Sequence, residues 1–115
     1  MGMDVCGQAP RSAAGKYFRR NIRHWPPLAG WITTVWPGLT SACQYWFSND
    51  GDGLNDEQSV ALADAIDEHL ASGQFDRLMT RLMADLPEGS HPPLEAEDLR
   101  EFSAFLRDCG GFKIY

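Results

Sequence analysis

From residue 56 to residue 109 the chain repeats one pattern three times: apolar residues three and four apart, polar residues between them, and a breaker at the end. Leu62, Ala63, Ile66 and Leu70 make the first stripe, with Asp64, Asp67 and Glu68 on the other side and Gly73 closing it. Phe75, Leu78, Met79, Leu82, Met83 and Leu86 make the second, with Asp76, Arg77 and Arg81 outward, followed by a loop from Pro87 to Pro93. Leu99, Phe102, Phe105, Leu106 and Cys109 make the third, stopped by Gly110-Gly111. A period near 3.6 residues with glycine punctuation predicts helices over 56–72, 75–86 and 96–108. Such stripes must bury one another, so truncating Leu62, Leu82 or Phe102 to alanine is expected to open cavities costing about 2–5 kcal/mol each.

Upstream, the signals are shorter. Ser48-Asn49-Asp50-Gly51-Asp52-Gly53 is the strongest turn in the chain, and Asn55 is placed to cap the helix after it. Pro26-Pro27 suits a helix start, placing Leu28, Trp31, Ile32 and Val35 on one stripe that Pro37-Gly38 ends. Leu39 to Phe47 reads as a further helix, and Tyr17 to Trp25 as a short helix or an irregular segment. Both ends alternate: residues 2–6 and 112–115 predict strands, each the natural partner of the other because a lone strand leaves its backbone unpaired. The expected fold is therefore mainly α (α+β): one domain over 1–115, four to five helices, and a small two-stranded sheet formed by the N- and C-terminal strands.

Several segments carry a resemblance. Met1-Gly2-Met3-Asp4-Val5, Gly15-Lys16-Tyr17-Phe18-Arg19, Trp25 with Pro27-Leu28, Ser48 through Leu54, Ala61 through Ala65, and Phe105 through Phe112 span nearly the whole chain. In these the chain resembles a family of small uncharacterised bacterial proteins. The resemblance implies a bacterial or phage-borne origin and a single domain, and it brings no catalytic residues with it.

Charge narrows the functional classes. The net charge of -6 opposes binding of nucleic acid by the surface as a whole. Yet no acidic residue falls between Asp4 and Asp50, a stretch that holds Arg11, Lys16, Arg19, Arg20 and Arg23. Arg19, Arg20, Arg23 and His24, interleaved with Tyr17, Phe18 and Trp25, make a basic-aromatic surface suited to a protein or anionic partner. Arg20, Arg23 and Trp25 are its candidate binding residues, with Arg19 expected to lie nearer the core. The plain alternative is that these arginines neutralise the acidic half.

Asp50, Asp52 and Asp56 fit three positions of a calcium loop, but serines (Ser48 and Ser59) stand at the first and twelfth, where carboxylates usually bind. They are the candidate metal ligands, and millimolar calcium is expected to change stability little. An alternative reading is a small hydrolase-like or metal-assisted enzyme, its cleft lined by Asp50, Asp52 and a histidine or arginine. His24, His69 and His91 are isolated, and no nucleophile elbow or phosphate-cradling glycine loop occurs. Cys6, Cys43 and Cys109 form no CxxC pair and read as reduced thiols. No cofactor is expected. With no signal-length or membrane-spanning apolar run, a cytoplasmic location away from membranes is expected. Nothing in the sequence fixes an oligomeric state.

Overall fold

In a computed structural model, residues 2–115 are described. Strand β1 (Gly2–Gly7) leads through a 3₁₀ turn (Ala13–Gly15) to β2 (Tyr17–Asn21); α1 (Trp25–Val35) and the four-residue α2 (Pro37–Thr40) follow. After a long loop come α3 (Asp56–Ala71), α4 (Gln74–Ala84) and α5 (Ala96–Asp108), and the chain returns as β3 (Phe112–Ile114). The three long downstream helices lie where the periodicity puts them. Asn55 caps α3 in a reciprocal pair with Gln58, accepting from its amide at 2.8 Å while the Gln58 side chain accepts from the Asn55 amide at 2.9 Å.

The terminal strands do pair, but the sheet has three strands, in the order β2-β1-β3, all antiparallel. Tyr17 to Asn21, expected as a short helix or irregular segment, is the third. Central β1 explains it: pairing with β3 alone would leave one row of its amides and carbonyls open, and β2 takes that row. The apparent helical spacing of Phe18, Ile22 and Trp25 is coincidental. Phe18 is buried, but Ile22 sits 60% exposed in the turn after β2, which the Asn21 side chain caps by accepting from the Arg23 and His24 amides.

One face of the sheet packs on α5. Phe18 meets Phe102 at 4.9 Å between ring centroids and Phe105 at 5.9 Å, and Phe112 packs against both. Trp25 stands edge-on to Phe102 and donates its indole N–H to the Trp46 carbonyl at 2.6 Å. Leu62, Ala63 and Ile66 of α3 are buried, as their stripe requires.

Two expectations fail here. Leu39 to Phe47 is not a helix beyond Thr40, because the Asp52 carboxylate draws the Gln44 and Tyr45 amides to itself at 2.7 and 3.0 Å. Its other oxygen accepts from Gly53 at 2.9 Å. Burial raises the Asp52 pKa, but the Tyr45, Gly53 and Gln44 amides together outweigh it, and the carboxyl ends below its ordinary 3.8. A depressed folded value means stability present above the unfolded pKa and lost as pH falls through the folded one. Wild type should therefore lose stability below about pH 4, and Asp52→Asn should flatten that part of the profile while melting lower at neutral pH. Melting curves from pH 2 to 7 check this; parallel profiles for the two proteins would refute it.

The second failure is on α4. Phe75 and Met79 are buried, but Leu82 and Leu86 are 38% and 39% exposed. Leu82 thus cannot leave the cavity expected of it, because solvent already reaches the site. The α4 stripe is wider than the neighbour it covers.

Candidate binding surface

Among the described residues no helix covers the sheet's second face, where Tyr17, Arg19, Lys113 and Tyr115 are exposed. Cross-strand partners share a face, so the register places side chains in rows. Tyr17, Cys6 and Lys113 form one row. Arg19 and Asp4 begin the next, and Tyr115 completes it, since Asp4 and Tyr115 exchange backbone hydrogen bonds at 3.0 and 2.7 Å. Met3, Val5, Phe18 and Ile114, one residue out of phase, point the other way and are buried. Tyr17 is 52% exposed and Tyr115 49%.

Asp4, the one side-chain carboxylate on this face among the described residues, is already matched. Asp4 accepts from the Tyr17 hydroxyl and from Arg19, the latter at 2.7 Å. The Tyr17 hydroxyl, then the Arg19 guanidinium, hold the Asp4 carboxyl below its ordinary value, and the same contact with Asp4 pushes the Tyr17 phenol up. Tyr17 therefore stays a neutral hydrogen-bond donor. Arg19 spends one donor hydrogen bond on Asp4, and a guanidinium has five donors in all. Lys113 is exposed and makes no ion pair among the described residues.

The residues expected to bind are scattered by the fold. Trp25 is 1% exposed and belongs to the core, because helical spacing turns it toward Phe102. Arg20, expected on the surface, is the most enclosed arginine of the cluster. Its side chain is 20% exposed, stacks over the Phe18 ring at 4.4 Å, and pairs with Glu101 and Asp98 of α5. Arg19, expected nearer the core, is the open one, because strand alternation sends neighbours to opposite faces. Arg23 is exposed in the turn after β2. Lys113 and Tyr115 were missed. Their signal was the alternation of Phe112 to Tyr115, which puts both on the outward side of a terminal strand.

The acidic candidates do not converge. Asp50 accepts from the Ser48 hydroxyl at 2.6 Å, Asp52 is committed to three amides, and Asp56 pairs with Arg11. Among the described residues no three histidine, cysteine, aspartate or glutamate side chains gather as a metal set. A hollow of about 410 Å³ is lined by Asp52 and Asp56 with Gly51, Gly53, Gly110 and Gly111, but Asp50 and every histidine lie outside it. His69 is 1% exposed between two partners, accepting from the Trp31 indole at Nε2 (3.0 Å) and facing the Gln74 carboxamide oxygen from Nδ1 (3.0 Å). Burial pushes the Cys43 thiol up to about 12 and raises that of Cys109, leaving both as poor nucleophiles.

No helix among the described residues is long and apolar enough to cross a membrane. Comparison with protein-family models, curated protein sequences and solved structures gives no match, so the family resemblance rests on its own segments. Four of those segments meet around the sheet. Gly2 to Val5 lies in β1, Gly15 to Arg19 enters β2, Ser48 to Leu54 runs along the outer edge of β3, and Phe105 to Phe112 joins α5 to it.

Proposed function

We propose that the protein is a non-enzymatic interaction module that holds an acidic segment of a partner protein on the open sheet face. One observation carries the reading: among the described residues, Tyr17, Arg19, Lys113 and Tyr115 share an uncovered face whose one side-chain carboxylate, Asp4, is already paired. Tyrosine supplies large contact area with few rotamers to freeze, and arginine a planar fork of donors suited to carboxylates; both are enriched in binding hot spots. The net charge of -6 favours a protein segment with a few carboxylates over a nucleic acid strand.

The test is an amide chemical-shift titration of labelled protein with a poly-glutamate peptide, with oligothymidylate in parallel. Shifts at Tyr17, Arg19, Lys113 and Tyr115 that shrink with added salt, and vanish in an Arg19→Ala/Lys113→Ala variant, are the expected result. Shifts elsewhere, no shifts, or a stronger response to the oligonucleotide would defeat it.

A further inference from the structure

Helix α1, Trp-Pro-Pro-Leu-Ala-Gly-Trp-Ile-Thr-Thr-Val, contains no charged residue. Trp25, Leu28, Ala29 and Ile32 face the core, but the opposite side faces outward without a solvating charge. Apart from Thr34 that side offers no polar side chain to the groove, and a helix face so apolar is normally covered. Together with α4 this side walls a groove of about 490 Å³, lined among others by Pro27, Gly30, Trp31, Leu78, Leu82 and Leu94. Gly30 lies in it, inside the helix, and a Cβ there would meet nothing within 4 Å. Glycine inside a helix costs about 1 kcal/mol against alanine, and no neighbour within the molecule requires it here.

The rim of the groove carries its own complement. On α4 the row beside Leu78 and Leu82 reads Arg77, Arg81, Asp85 at four-residue steps, and Glu88 follows the helix end. Among the described residues neither Arg81 nor Asp85 has an ion-pair partner. Asp85 also stands at the C-cap, where the helix dipole favours a cation. A row that is basic at one end and acidic at the other matches an antiparallel copy of itself. With the twofold axis level with Met83, Arg81 comes opposite Asp85 of the second copy, and Leu82 sits between Leu82 and Leu86 of that copy.

We infer that the protein forms a twofold homodimer, α4 of each copy lying antiparallel in the α1–α4 groove of the other, with Gly30 admitting the close approach. This surface shares no residue with the sheet face, so it fails or stands separately from the reading above.

Light scattering coupled to size exclusion, from micromolar to millimolar protein, tests it. Wild type should approach twice the 12.8 kDa chain mass. Leu82→Glu and Arg81→Glu should each run at the monomer mass with unchanged circular dichroism, because both positions are exposed. The double swap Arg81→Glu/Asp85→Arg should return to the dimer mass. Wild type monomeric throughout the range would overturn the inference, as would a dimer unaffected by Leu82→Glu or a double swap that stays monomeric.

Discussion

Phe102→Ala is expected to destabilise the protein by about 3–5 kcal/mol, read as the shift of a denaturant midpoint at constant slope. Phe102 is 0% exposed and its ring touches four others: Phe18 of β2, Trp25 of α1, Phe105 on its own helix and Phe112 of β3. Those partners belong to elements spread from one end of the chain to the other. None can collapse into the gap alone, because Phe18 and Phe112 are fixed by strand register and Trp25 by its bond to the Trp46 carbonyl. A cavity that cannot relax lies at the costly end of the range. Phe102→Leu fills most of the volume and should lose less than half as much. A midpoint within error of wild type for Phe102→Ala would mean that the sheet does not pack on α5.

The helices of the second half were legible because their information is local. A stripe repeats every three or four residues, and Gly73 and Gly110-Gly111 mark its ends whatever the tertiary context. β2 was not legible for the opposite reason. Five residues with one buried side chain carry almost no periodic signal, and what makes them a strand is the open edge of β1, 15 residues away in register at Asp4 and Arg19. Residues 41–47 failed alike: the carboxylate that replaces their helical hydrogen bonds belongs to Asp52, further along the chain. Because β2 was misread, the expected surroundings of Arg19 and Arg20 were exchanged, while Arg23 is exposed as expected. Helical spacing groups Arg19, Arg20 and Arg23, whereas a strand separates Arg19 from Arg20 and gives the former to the open face. The open face needed β1 between β2 and β3 to exist at all. Tyr17 and Tyr115 are brought together by it, and no local pattern joins them.

The largest effect from the smallest change is expected at Gly53. Its backbone is not in the left-handed region, so space alone decides the outcome. A Cβ there would stand 1.8 Å from the Phe112 carbonyl oxygen and 2.6 Å from its carbon, both backbone atoms. The two segments are clasped on either side, the Phe112 amide donating to Leu54 at 2.9 Å and the Ile114 amide to Asp52 at 2.8 Å. Adding one methyl group must therefore spread a hydrogen-bonded pair of segments, and no rotamer can turn aside. Gly53→Ala should cost about 3 kcal/mol, the upper end of overpacking penalties. It should also move β3, and with it Lys113 and Tyr115 on the open face, so the poly-glutamate response should weaken together with stability. Gly38→Ala is the matched control. A Cβ at Gly38 meets nothing within 4 Å, and alanine restricts the unfolded chain, so this variant should gain about 0.4–1 kcal/mol. Thermal melts of the two variants beside wild type decide it. If Gly53→Ala melts as high as Gly38→Ala, the Ser48 to Leu54 segment is not packed against β3, and the outer edge of the sheet is open.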